Sequence, residues 1–410
     1  MIMLLKMAWR NILRNKRRTL ISALAIGIGL TSLIFMDAFM NGMTANMIKS
    51  ATSSFIGEAQ VHYKGFNETM EIEKTIKDSD KLIDSLEKEA EIKTVSPRTK
   101  AFGMVSSAAN MHSVMITGIH PDKEKNISKL DDAIVEGSYL EQYDERGIVI
   151  GSKVADILEV ELEDRIVVTV AQAGTGEMSQ EMLRVKGIFR TGIRELDGNI
   201  VLIAVKIAQS MLALEDQYHE IAVNFHQFER SWNDANPIWE KYSTNGNLFR
   251  NWRILLPEMK AMIEMSGYSM FVIAFVLFLL VAGVIVNTMF MTIYERMFEF
   301  GVIKAIGEKP VKVGALIVIE SGFIALLASV TGSIFAVILN IVFTKFNVFD
   351  FSGSEFMSVT ITEKIDPVMT FYQYTAYPAA LIIFTMIVGI YPAIHAARIN
   401  PSEAIKKGQK

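Results

Sequence analysis

Residues 267–307 read GYSMFVIAFVLFLLVAGVIVNTMFMTIYERMFEFGVIKAIG. The first part, Gly267 to Met291, is apolar and carries no charge; the second sets Glu295, Arg296, Glu299 and Lys304 close together. An uncharged run of this length spans the hydrocarbon core of a bilayer as a helix. A membrane helix that runs straight into a short charged helix is built to couple the bilayer to an aqueous compartment. The rest of the chain must supply what is coupled and close the bundle around it.

Working outward, the composition agrees with a mixed architecture. Half of the 410 residues are apolar and 21% are charged, too hydrophobic for an ordinary soluble protein and too charged for one that is membrane throughout. The absence of cysteine excludes disulfides, thiolate metal sites and a thiol nucleophile. The net charge of −4 matters less than its distribution.

Residues 1–18 form a basic segment with Lys6, Arg10, Arg14, Lys16, Arg17 and Arg18 and no acid. An apolar run follows over 19–41, interrupted by Asp37. A cleaved export signal has the same opening form, but the run is long and no Ala-x-Ala follows, so an uncleaved membrane helix is expected. Three more spans are expected at 267–291, 313–343 and 374–394. The basic start, the 292–312 linker (Arg296, Lys304, Lys309, Lys312) and the 395–410 tail (Arg398, Lys406, Lys407, Lys410) place Lys and Arg on one side. The 344–373 loop is richer in acids: Asp350, Glu355, Glu363 and Asp366 against Lys345 and Lys364. By the positive-inside rule both termini and the linker are cytoplasmic.

Residues 42–265 then form an acidic domain outside the cytoplasm, large enough for a real core. Apolar residues at Met43, Met47, Ala51 and Phe55 continue the first span outward as a stalk, mirrored by Leu255 to Ser266. Between them the pattern alternates. Strands are expected at 57–63, 94–107, 113–119, 147–151, 165–170, 182–189, 200–205 and 220–228, and helices at 78–91, 152–158 and 207–214. A polar loop, 171–181, joins two strands as a hairpin. The fold class expected is therefore a four-helix membrane protein with a large α+β extracytoplasmic domain between helices 1 and 2.

Enzyme chemistry is not visible in the chain. It contains no Gly-x-x-x-x-Gly-Lys-Ser/Thr loop for nucleotide phosphates, no Gly-x-Ser-x-Gly elbow and no His-Glu-x-x-His pair. The histidines (62, 112, 120, 219, 226, 395) are scattered. No catalytic residue, metal site or resident cofactor is expected, and nothing suggests nucleic acid as a partner.

On a helical wheel Tyr294, Phe298, Val302 and Ala305 share an apolar arc, opposite Glu295, Arg296 and Glu299. Ile303 and Ile306 fall on that polar arc, which a water-facing helix would not tolerate, so a protein surface is expected over the C-terminal half. The helix should stop at Gly307, ahead of Pro310. Glu320, on the third span, is either an intramembrane functional group or a residue at the cytoplasmic interface. Gly322 and Gly332 on that span suit close helix contact.

The run Glu295-Arg296-x-x-Glu299-Phe300-Gly301-Val302-Ile303-Lys304-Ala305-Ile306-Gly307 resembles the signature of the MacB/FtsX/LolC-LolE permeases, the type VII ABC transporters. The basic segment Trp9–Arg18 resembles that family's entry helix. Residues 116–119, 147–151 and 187–192 resemble its periplasmic core domain, and 391–405 its C-terminal motif. The spacing of the core strands and the lack of a fused ATPase are most like the lipoprotein-releasing LolC/LolE branch.

The resemblance implies a chain of the bacterial inner membrane that pairs with a second permease subunit, identical or not, and binds a cytoplasmic ATPase dimer holding the ATP and magnesium. It makes Glu295, Arg296, Phe298, Glu299, Gly301, Lys304 and Gly307 the ATPase-coupling residues. It makes Leu33, Met36, Met40, Phe271, Phe275 and Phe278 the lining of a cavity for lipid or lipoprotein substrate. It makes the hairpin residues Gln172, Gly174, Gly176 and Met178 the contact for a periplasmic lipoprotein carrier or adaptor, although the hairpin has no proline and no basic residue. Two other branches imply different outputs: MacB-like efflux, and FtsX-like activation of a periplasmic hydrolase.

Overall fold

The computed structural model describes residues 2–142, 144, 146–346, 355–356, 359–360, 365–401 and 404. Asp350, Glu363 and Lys364 of the loop after the third span, and Lys406, Lys407 and Lys410 of the tail, lie outside the described residues. The chain divides into two compact units. One comprises Met1–Thr44, Ile263–Asp350 and Ile365–Lys410; the other is Ala45–Met262 with Phe351–Lys364.

In the first unit an N-terminal helix, Ile2–Arg14, precedes four helices long and apolar enough to cross a membrane. These are Lys16–Ala51, Pro257–Glu295, Pro310–Phe346 and Phe371–Arg398. Proline opens the second and third, where its missing N–H is no loss. A capping box between Thr370 and Gln373 opens the fourth. Helices in lipid associate through close packing and polar contacts rather than a hydrophobic drive, and small residues mark the contacts here. A Cβ on Gly332 would lie 2.7 Å from the Gly27 carbonyl, and Thr31 Oγ1 donates to the Gly332 carbonyl at 2.9 Å. Gly322 meets Met386 of the fourth helix, and Gly389 meets Ser321. The second membrane helix buries one stripe, Val281, Ile285, Met289 and Ile293, at i+4 spacing. The N-terminal helix buries Ala8 and Ile12 and sets Trp9 edge-on to Phe323 of the third membrane helix, 5.5 Å between centroids.

The second unit is built on a sheet of ten strands among the described residues. They are β1 (Ala59–Tyr63), β2 (Ile92–Ser106), β3 (Met111–Ile119), β4 (Ile134–Gly137), β5 (Gly147–Gly151), β6 (Arg165–Ala171), β7 (Met178–Phe189), β8 (Ile200–Ala204), β9 (Glu220–Phe225) and β10 (Asn247–Asn251). Pairing runs β10-β1-β9-β2-β3-β8-β5-β7-β4, and β6 bridges β2 and β7. The circuit β2-β3-β8-β5-β7-β6 therefore closes on itself as a small barrel. Alternate residues fill its interior: Val105, Val114, Ile116, Ile148, Ile150, Ile166, Val168, Leu183, Val185, Val201 and Ile203. The short helices Ser152–Leu158 and Val205–Met211 contribute to the same core. The long strand β2 serves both parts, since its first half also pairs with β9 in the layer β10-β1-β9. A second core, around Ile83, Leu86, Val223 and Phe249, backs that layer.

Two strands were not expected. β4 is only four residues long, and β10 (Asn-Leu-Phe-Arg-Asn) is a polar edge strand, so neither carries a strong period-2 signal. β7 starts at Met178 rather than 182, which shortens the 171–181 loop to a turn over 172–177.

The first membrane helix runs on past the bilayer pattern and ends in a π-helical turn, Thr52–Ile56. Beneath that turn lies a buried charge cluster. Arg98 donates twice to Glu124 (Nε 3.0 Å, Nη2 2.6 Å) and once to Glu220 (Nη1, 2.6 Å). Lys100 completes Glu220 at 2.6 Å. Arg98 and Glu124 have no solvent exposure. Two positive and two negative groups balance, as buried charge requires. Burial opposes ionisation of Glu220, but Lys100 and Arg98 outweigh it and hold its carboxyl down at about 2.

Candidate functional site

The junction after the second membrane helix is assembled from six segments of the first unit. That helix ends at Glu295, and Arg296 leaves helical geometry (φ −108°, ψ 16°). A short helix, Met297–Ala305, then follows. The continuous wheel over 294–307 is thus interrupted, and its two arcs do not face as expected.

Of the polar arc only Arg296 is buried; Glu295 stays exposed and Glu299 is half-buried. Arg296 Nη1 donates to Glu320 Oε1 at 2.8 Å and its Nε to Glu299 at 3.0 Å. Asn11, from the N-terminal helix, donates to the same Glu320 oxygen at 2.6 Å. Arg14 pairs with Glu299 at 2.8 Å, and Arg18 Nη1 donates to Glu295 at 2.7 Å. Glu295, Arg296 and Glu299 therefore hold their own chain together. The reason is that Asn11, Arg14 and Arg18 bring a complementary surface that a single-helix wheel does not contain. Glu320 is neither water-facing nor unpartnered: it is buried and joins the third membrane helix to this junction.

Lys304 also turns inward. Its ammonium donates to the carbonyls of Ala397 (2.8 Å) and Ile399 (2.5 Å), capping the fourth membrane helix. Gly301 and Phe300 are buried, with Phe300 under the Arg296 guanidinium. Gly307 ends the short helix with φ +100°, its N–H bonding Lys304 O while Glu308 N–H bonds Ile303 O. That pair of bonds is a Schellman close, which a left-handed glycine permits.

Three large apolar residues stay exposed beside Glu295: Tyr294 (58%), Phe298 (45%) and Ile306 (82%). Val311, at the start of the third membrane helix, is exposed as well. Exposed apolar residues grouped at the end of a membrane helix form a surface suited to a partner or to the bilayer interface. Of the two residues from which a cover was expected, Ile306 is exposed and Ile303 is half-buried. Phe298 and Gly307 lie on the open side; Glu295, Arg296, Glu299, Gly301 and Lys304 build the support beneath it.

The six residues expected to line a lipid cavity do not converge. Leu33 is buried in the bundle, and Met36 and Met40 are half-buried. Phe271 and Phe275 are exposed, and Phe278 stacks on Phe384 at 5.1 Å. Side-chain direction on four separately packed helices decides this, and hydropathy does not encode it. A mainly apolar cavity of about 460 Å³, with Glu195 and Glu258 also in its lining, lies instead within the second unit. Met47, Ala51 and Phe55 line one side, Leu255, Met259 and Met262 the other, with Ile193 and Leu196 between.

The hairpin turn is tied down rather than projecting. Gly174 and Gly176 take positive φ, Ala173 N–H bonds Leu212 O at 2.9 Å, and Gly174 N–H bonds Glu73 at 3.2 Å. Gln172 is half-buried with its N–H on Glu177 O. Met178 stands exposed on the barrel wall (64%), near exposed Met182, Phe102 and Met104. A free hook is thus not what residues 172–178 form.

The family model for the MacB-like periplasmic core domain matches residues 19–229, and that for the FtsX-like permease C-terminal region matches 271–401. The chain belongs to the FtsX/MacB family of ABC transporter permeases. Its relatives include the lipoprotein-releasing system transmembrane protein LolC of Xylella fastidiosa, 22% identical over 71% of this chain and 72% of that one. Another is LolE of Haemophilus influenzae, 21% identical over 94% and 93%. The periplasmic region of MacB from Actinobacillus actinomycetemcomitans aligns with 50% of this chain and 94% of its own, at 12% identity and a TM-score of 0.34. With its four membrane helices the permease is an inner-membrane protein that works with an ATPase.

Proposed function

We propose that this permease extracts lipoproteins from the membrane by transmitting ATPase motion to its extracytoplasmic domain. The single observation that carries this reading is the apolar cavity between the two stalk segments. It is lined by three methionines, Met47, Met259 and Met262. Thioether side chains adapt to irregular apolar shapes, and about 460 Å³ is the size range of a small-molecule site. An acyl chain fits that chemistry, and the LolC and LolE relatives carry lipoprotein release in their names.

In this reading an ATPase covers Tyr294, Phe298 and Ile306, and the Arg296–Glu320 pair passes its movement to the third membrane helix and the N-terminal helix. Both termini and the 292–312 linker are cytoplasmic. A second permease subunit covers part of the open outer half of the second membrane helix, where Phe271 and Phe275 stand exposed. A periplasmic carrier meets the barrel wall at Met178.

The test is ATP hydrolysis by the permease–ATPase complex in nanodiscs. Triacylated lipopeptide should stimulate turnover several-fold, whereas the same peptide without acyl chains and a panel of amphipathic drugs should not. Stimulation by drugs alone would make efflux the function instead.

A further inference from the structure

The two stalk segments join the second unit in unlike ways. At the end of the first, two terminal carbonyls are taken by remote parts of the domain and two are closed locally. Ser53 O accepts from Lys129 N–H at 2.9 Å, and Ile56 O from Gln60 Nε2 at 2.7 Å. Phe55 O accepts from Arg98 Nη2 at 2.6 Å, and Thr52 O from Gly57 N–H at 2.8 Å. Arg98 also lies over the Phe55 ring, 4.2 Å from its centroid. Its guanidinium is already locked by Glu124 and Glu220, so β2, β9 and the Pro121–Glu124 turn all grip this helix end through one side chain. The negative end of the helix dipole meets a buried cation there.

The second stalk is held only through its first turn, where Arg253 pairs with Asp234 at 3.1 Å; among the described residues no side-chain bond ties 257–262 to the domain. Trp252 anchors a single turn, Trp252–Leu255, with its N–H on Glu58 O at 3.1 Å. Leu256 then leaves helical geometry (φ −121°, ψ 68°) before Pro257 starts the long helix. None of residues 257–262 is buried.

We infer that the first stalk is a welded joint, with Arg98 as its positioning residue, and that the second is a hinge at Leu256–Pro257. Movement of the first membrane helix then carries the barrel with it, while the second stalk turns to widen or narrow the apolar cavity between them. This rests on the force-transmitting reading above.

Because the chain has no cysteine, spin labels can be placed at will. Pairs Ala45→Cys with Glu181→Cys, and Ala261→Cys with Glu181→Cys, report the two joints in the full permease–ATPase complex in nanodiscs. Pulsed electron–electron distance measurements should give one narrow distribution for the first pair, identical without nucleotide and in the vanadate-trapped state. The second pair should be broader and shift on trapping. Arg98→Lys keeps the charge but cannot serve Glu124, Glu220 and the Phe55 carbonyl together, so it should broaden the first pair. If Arg98→Lys fails to assemble, the wild-type pairs still decide. A first pair as broad as the second, or one that shifts on trapping, overturns the weld. A second pair as narrow as the first without nucleotide overturns the hinge. If neither pair moves on trapping while the contrast in width persists, the joints stand and the force-transmitting reading fails.

Discussion

Arg296 and Glu320 are the pair on which the junction turns. Glu320 lies ten residues into the third membrane helix, about 15 Å along its axis, and its charge is met by Arg296 and Asn11. Removing one partner strands a buried charge, whereas removing both relieves it. Arg296→Ala alone should therefore cost about 3–5 kcal/mol. Arg296→Met with Glu320→Met should recover most of it, as read by thermal unfolding of the detergent-solubilised chain. Sequence alone named both residues but not their partnership, because they stand 24 residues apart across a turn whose direction no local pattern states. His219 shows the same in the outer domain. Its Nδ1 accepts the Lys100 N–H at 3.0 Å, so its Nε2–H donates to Ile72 O at 2.8 Å. Burial holds it neutral, lowering its pKa to about 4, and does the same to His62. The unfolded chain takes up protons first, below about 6.5. Stability is thus fully present above that value and lost as pH falls from 6.5 towards 4, by on the order of 3 kcal/mol per histidine. Tryptophan fluorescence, with Trp232, Trp239 and Trp252 all in this domain, should follow the loss. His219→Gln should remove about half of it.

At the scale of elements, the short helix 297–305 separates two readings of one motif. If Glu295 and Glu299 were the ATPase contacts, their replacement would abolish binding and leave the permease intact. Their pairing with Arg18, Arg296 and Arg14 predicts another pattern. Phe298→Glu with Ile306→Glu should cut ATPase co-purification at least tenfold with unchanged thermal stability. Glu295→Ala with Glu299→Ala should lower the melting temperature and weaken co-purification only in proportion. The expectation of a cover came from apolar periodicity, which reads directly from the residues, and Ile306, on which it rested, is exposed. The wheel did not show that Arg296 breaks the phase, or that Arg14 and Arg18 supply partners for the acids. The close of the barrel was illegible for a similar reason. Each strand but β4 and β10 showed in the period-2 pattern, yet closure depends on β6 pairing with both β2 and β7, and register between distant strands is set by packing.

At the scale of the molecule, orientation follows from charge and can be measured. A cysteine introduced at Lys309 should react with a membrane-impermeant maleimide only after the membrane is opened. One introduced at Glu181 should react in intact spheroplasts. Equal labelling of both would reverse or dissolve the proposed topology. Hydropathy and charge asymmetry are sums over contiguous residues, so the four membrane helices, the large domain between the first two and the family signature at 295–307 were all legible in the chain itself. What needed the tertiary structure were the meetings of distant residues: Arg98 with the end of the first stalk, Glu320 with Arg296 and Asn11, and a cavity between stalks rather than among the predicted phenylalanines. A residue's neighbours along the chain determine whether it enters the bilayer or a strand. Which buried charge it balances depends on how separately formed elements pack, and that appears only once they have packed.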